Sequence, residues 1–129
     1  MSELQDRIRE IIETEPVALF MKGTPGVIAC GNSARALEAL RAVGAPVTAV
    51  DVLPDPQIRV ELTALSGWPT IPQVFIGGEF VGGADITEEL YESGELAQKV
   101  AERLGGATPA PAGERVIELA GGGNPFRVV

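Results

Sequence analysis

Apolar residues recur at helical spacing at the start of the chain. Leu4, Ile8, Ile11 and Ile12 stand among charges over residues 2–14, which predicts an amphipathic helix ended by Pro16. The period then changes. Val17-Ala18-Leu19-Phe20-Met21 is an unbroken apolar run, as expected of a strand buried on both faces, and Lys22-Gly23-Thr24-Pro25-Gly26 predicts a loop. Ala36, Leu37, Leu40 and Val43, with Arg35, Glu38 and Arg41 between them, predict a second helix. It opens at or just after Cys30 and is closed by Gly44 and Pro46. A second strand is expected over 46–52 and a third helix from about Asp55 to Leu65, broken by the segment Gly67 to Pro72. Gln73–Ile76 and Glu79–Val81 flank Gly77-Gly78, the composition of a two-residue hairpin. Gly82-Gly83 leads to Asp85 and a last helix from Ile86 to about Leu104, with a break at Ser93-Gly94.

This order predicts an α/β fold. A strand–helix–strand unit crosses over right-handed to make a parallel pair, and the hairpin adds two antiparallel strands, giving a four-stranded mixed sheet flanked by helices. From Gly105 onward Gly and Pro become dense, so the boundary falls there: a domain over 1–105 and an extension over 106–129. Within the extension Arg115–Leu119 predicts a short strand, while Thr108–Pro111 and Gly121–Gly123 read as linker.

Composition narrows the chemistry. The 129 residues carry 10 basic and 18 acidic side chains, a net charge of −8. Such a balance argues against nucleic acid, whose binding draws on Lys and Arg neutralising phosphates, and against an anionic membrane surface. The uncharged run Leu62–Gly78 is broken by Pro69 and Pro72 and is too short to span a bilayer. The acidic amino terminus has neither a signal nor a transit pattern, so a cytoplasmic location is expected. One cysteine and no histidine exclude an internal disulfide, His-based zinc sites, Cys-His pairs and the Ser-His-Asp triad.

Cys30 therefore carries the candidate chemistry. It precedes a helix, where unpaired N–H groups and the positive end of the helix dipole converge, and Lys22 acts in the same direction; both favour thiolate. A lone cysteine is also a common core residue, but Gly31 and the loop before it favour an accessible thiol. Read by themselves, Asp85 is also a helix cap, Arg59 a solvated helix residue and Trp68 a packing residue. Glu88, Glu89, Glu92 and Glu95 likewise make a solvated face.

Four separated motifs resemble one family. Lys22-Gly23-Thr24-Pro25, Cys30-Gly31 with Ser33, Trp68-Pro69-Thr70 with Pro72-Gln73, and Gly82-Gly83 with Asp85 are similar, in order and spacing, to the signatures of the monothiol glutaredoxins over about residues 3–104. The resemblance implies a thioredoxin-like fold and a site for glutathione. Lys22 and Arg59 would hold its glycine carboxylate. Pro72 would be a cis proline beside which the backbone of Ile71, next to Thr70, pairs with the tripeptide. Gly83, Ala84 and Asp85 would receive the γ-glutamyl end.

One thiol cannot resolve its own mixed disulfide, so Cys30 needs an outside thiol. The family is associated with a [2Fe-2S] cluster, delivered to recipient iron-sulfur proteins and often handled with BolA-like partners. Such a cluster needs four ligands, usually thiolates. Two Cys30 sulfurs and two glutathiones complete the set, so Cys30 would be the metal ligand in a cluster-bridged homodimer. The other use is a glutathione-disulfide oxidoreductase that deglutathionylates proteins through Cys30, at most a weak enzyme. A third is an adaptor working through the carboxy-terminal segment. The family usually reads Cys-Gly-Phe-Ser, whereas here Asn32 replaces the aromatic. A polar amide there removes apolar cover and predicts a weaker cluster.

Overall fold

The computed structural model describes residues 2–103, 114–119 and 127–128. The linker readings at Thr108–Pro111 and Gly121–Gly123 lie outside the described residues.

Helix α1 (Glu3–Thr14) starts at Ser2, whose hydroxyl accepts the N–H of Gln5 at 2.9 Å. It buries Ile8, Ile11 and Ile12 and stops before Pro16, which disfavours helical geometry at Glu15. Strand β1 (Val17–Met21) is buried at all five positions. Next come two short strands, β2 (Gly23–Thr24) and β3 (Val27–Ile28), paired antiparallel across the segment expected as a loop. Gly23 sits at φ +92°, and a Cβ there would collide with the carbonyl of Val27, so this hairpin closes only around glycine.

Helix α2 (Gly31–Ala42) opens directly after Cys30, β4 (Val47–Asp51) follows, and α3 (Pro56–Ser66) is capped by Asp55 with Pro56 in its first turn. Strands β5 (Gln73–Ile76) and β6 (Glu79–Gly82) turn at Gly77-Gly78, both at positive φ, as a two-residue hairpin requires. The last helical stretch is two helices, α4 (Ala84–Ser93) and α5 (Glu95–Arg103), divided where Gly94 takes the left-handed conformation.

The sheet order is β6-β5-β1-β4-β7-β8. Its centre is the expected four-stranded mixed sheet: β1 runs parallel to β4 with Val17 opposite Val47, and antiparallel to β5 with Val17 opposite Ile76. The sheet is wider than that. Strand β7 (Arg115–Glu118) lies parallel along β4, and β8 (Arg127–Val128) pairs with β7. Ion pairs from Arg41 to Glu114 and from Arg115 to Glu15 hold the start of β7.

Side chains alternate across β1. Val17, Leu19 and Met21 join a core with Leu37 and Leu40 of α2 and Leu96 and Val100 of α5. Ala18 and Phe20 join the opposite core with Ile8 and Ile11 of α1, Ile58 and Leu62 of α3, and Ile117 and Leu119 from the β7 segment. The sheet is thus covered on both faces, and the loops at the carboxyl ends of β1 and β4 carry the chemistry.

Candidate functional site

Cys30 is the residue immediately before α2, in extended conformation, and its side chain makes no capping hydrogen bond. The thiol is half-buried and free. Its pKa is held below the ordinary cysteine value. The main cause is the backbone N–H of Ser33, opposed by burial and reinforced by the N–H of Asn32, the Ser33 hydroxyl and the charge of Lys22. The first turn of a helix supplies unpaired N–H groups, and here they point at sulfur.

Ser33 is itself fully buried. Its hydroxyl accepts the backbone N–H of Lys22 at 3.0 Å, and the Lys22 carbonyl accepts the N–H of Ala29 at 3.0 Å. The end of β1, the small hairpin and the start of α2 are therefore one hydrogen-bonded unit around the thiol. Asp51, at the end of β4, closes it by accepting the N–H of Gly23 at 2.9 Å.

A cleft of about 270 Å³ lies next to this unit, walled by Asn32, Trp68, Thr70, Ile71, Pro72 and the Gly83–Ile86 turn. Six of the residues singled out in the sequence meet there: Thr70, Ile71, Pro72, Gly83, Ala84 and Asp85. The Ile71–Pro72 peptide bond is cis. Gly83 is buried against Trp68 and Pro72; a Cβ on it would stand 3.3 Å from both the Pro72 carbonyl oxygen and the indole nitrogen.

Lys22 and Arg59 are not part of this wall. Lys22 is felt at Cys30 through its charge. Arg59, exposed on α3, donates from Nη2 to the carbonyl of Pro69 at 3.0 Å, so it braces the loop that leads into the cleft.

Three residues noted in the sequence but not expected in the site contribute to it. Asn32 and Trp68 line the cleft, and Gln73, fully buried, donates from Nε2 to the carbonyls of Trp68 at 2.9 Å and Thr70 at 3.2 Å. The Pro72-Gln73 pair marked the place, but one amide spanning two carbonyls of the preceding loop is a tertiary fact. Trp68 also packs on Phe80, with ring centroids 5.6 Å apart, and its buried indole N–H has no acceptor among the described residues.

Asp85 is not a lone carboxylate. Arg35, on α2, donates to it at 2.8 Å, to Glu88 at 2.6 and 2.9 Å, and to the Asn32 side-chain oxygen at 3.0 Å. The same contacts push the Arg35 pKa upward and hold the Glu88 carboxyl below its usual range. Among the described residues no cluster of three or more His, Cys, Asp or Glu could hold a metal, and no helix is long and apolar enough to cross a membrane.

Comparison with known proteins agrees with this geometry. The Glutaredoxin family model matches residues 17–81. The chain is 45% identical over 102 residues to Glutaredoxin 4 of Escherichia coli (strain K12), covering 79% of this chain and 89% of that protein. It is 43% identical over 99 residues to Monothiol glutaredoxin-S11 of Oryza sativa subsp. japonica, covering 77% of this chain and 20% of that longer protein. The solution structure of reduced poplar apo GrxS14 superposes with a TM-score of 0.71 at 40% identity, covering 78% of this chain and 93% of that one. The chain belongs to the glutaredoxin family and, with one cysteine at the head of α2, to its monothiol members.

Proposed function

We propose that the protein binds glutathione in the cleft beside Cys30 and, as a pair of chains, carries a [2Fe-2S] cluster as cargo for recipient proteins. The observation that carries the reading is the lone Cys30 thiol: half-buried, lowered in pKa by the first turn of α2, and adjacent to a cleft formed by Thr70, Ile71, cis Pro72 and Gly83–Asp85. Glutathione brings two carboxylates, one ammonium and a thiol, and the site offers counterparts for the ammonium, the glycine carboxylate and the peptide backbone. Asp85 suits the ammonium, Lys22 and Arg59 supply positive charge for the glycine carboxylate, and the Ile71 backbone offers strand-like pairing.

Ligand counting supports the cargo. Described residues of one chain supply one thiolate and no further ligand cluster. A four-thiolate cluster therefore fits only if shared between two Cys30 sulfurs and two glutathiones. The residues fit a soft iron centre in that arrangement, since the N–H groups of Asn32 and Ser33 stabilise charge on sulfur. Delivery to BolA-like partners or iron-sulfur recipients belongs to the same reading.

Asn32 favours a second use of the same thiol. An exposed amide two residues from Cys30 leaves the sulfur open to an incoming disulfide. The Cys30 thiolate would attack the glutathione sulfur of a glutathionylated protein, release that protein's thiolate and form a Cys30–glutathione disulfide. A second glutathione thiolate would attack this disulfide, forming glutathione disulfide and restoring the Cys30 thiolate.

Turnover of a glutathionylated peptide with glutathione separates the two. Rapid turnover that disappears in Cys30→Ser supports the oxidoreductase. Slow turnover, together with a Cys30-dependent mixed disulfide by mass spectrometry, supports glutathione binding in service of cargo. Absence of any Cys30–glutathione adduct overturns both.

A further inference from the structure

We propose that Asn32 is a specificity-determining residue of the cleft, donating its side-chain N–H groups to the carboxylate of the γ-glutamyl head, and that Arg35 is the positioning residue that sets it there. This rests on the glutathione reading above and adds a subsite to it.

Arg35 has only donors, so the Asn32 atom it contacts at 3.0 Å must be the amide oxygen. That fixes the orientation of the amide: its NH₂ is the end left to meet a ligand, and Asn32 is a wall of the cleft. The guanidinium is oriented by a fork onto Glu88 through two nitrogens at 2.9 and 2.6 Å. Its Nη2 also reaches Asp85 at 2.8 Å.

One planar group therefore bridges Asn32 on α2 and Asp85 on α4, holding an amide donor and a carboxylate acceptor on one cleft. Arg35 uses one oxygen of Asp85, and the other oxygen is left for an ammonium. An α-amino acid head carries an ammonium and a carboxylate on one carbon, the complement of this pair. Arg35 faces a neighbouring groove lined by Glu38, Glu88 and Tyr91 rather than the cleft, so it acts through Asn32 and Asp85 and not by touching the ligand.

The test compares two unreactive ligands by calorimetry on the full chain: S-methylglutathione, and S-methylcysteinylglycine, which lacks the γ-glutamyl group. Wild type should bind the first at least tenfold tighter, the worth of about one charge-assisted hydrogen bond. Asn32→Ala and Asn32→Asp should cut that preference about tenfold, leaving the part owed to Asp85, while their affinity for S-methylcysteinylglycine stays unchanged. Arg35→Gln should move the same way, and Arg35→Lys should fail to rescue it, because an ammonium lacks the fork that reaches Asn32 and Asp85 together. Circular dichroism and melting of each variant exclude unfolding, and the change in ligand preference is a readout that general destabilisation does not produce. If the Asn32 variants bind both ligands as wild type does, or if Arg35→Gln tightens S-methylglutathione by freeing Asp85, the subsite is wrong and the glutathione reading stands. If wild type binds neither ligand, that reading fails and takes the subsite with it.

Discussion

The hydroxyl of Ser33 accepts the backbone N–H of Lys22 at 3.0 Å, tying the first turn of α2 to the end of β1 across the thiol. The same hydroxyl helps lower the Cys30 pKa. Ser33→Ala removes both roles and leaves a partly buried N–H without its acceptor. The expected outcome is a loss of about 1–3 kcal/mol in urea unfolding and a higher thiol pKa, read as slower iodoacetamide alkylation at neutral pH. The backbone N–H groups remain, so the pKa rises only part of the way to a free thiol.

Because the folded protein holds the Cys30 pKa below its unfolded value, thiolate formation contributes stability. That contribution is fully present above the unfolded value, about 8.5 for a free thiol, and is lost as pH falls through the lowered folded value. Measured against Cys30→Ser, the wild-type stability advantage should grow with rising pH across that window. A pH-independent difference would show that the helix terminus does not favour the thiolate.

Strand β7 is part of the core, since Ile117 and Leu119 are buried among residues of α1 and α3. Ile117→Ala should cost about 2–5 kcal/mol in chemical denaturation, as other buried Ile truncations do. A cost near zero would mean that the extension does not dock on β4.

Gly83 borders the cleft where a methyl group would stand 3.3 Å from the Pro72 carbonyl oxygen and the Trp68 indole nitrogen. Gly83→Ala should weaken S-methylglutathione binding about tenfold, the worth of one distorted charge-assisted contact. Its melting temperature should change by only a few degrees. Unchanged affinity would place the ligand away from the Gly83–Asp85 turn.

Much of this architecture was legible because it is local. Helix α1 is written in the spacing of Ile8, Ile11 and Ile12, and the hairpin of β5 and β6 in Gly77-Gly78. The break at Gly94 and the position of Cys30 at the head of α2 follow from residues within one turn. What escaped depends on distant segments meeting. The pairing of Thr48 with Arg115 joins β4 to a strand beyond a Gly/Pro-rich segment, which periodicity cannot register. Asn32 and Arg35 are visibly one turn apart, but their link to Asp85 and Glu88 exists only once α2 docks on α4. Arg59 was legible as an exposed cation, but its bond to the Pro69 carbonyl exists only once that loop folds back on α3.

The central claim is a thiolate pair completed by glutathione around a shared cluster, and anaerobic reconstitution with iron, sulfide and glutathione tests it most directly. Visible absorbance and native mass should show a coloured dimer of two chains and two glutathiones, absent in Cys30→Ser and in the glutathione-free sample. A protein that stays colourless and monomeric under these conditions, although a parallel sample given glutathione disulfide forms the Cys30–glutathione mixed disulfide, would contradict the claim.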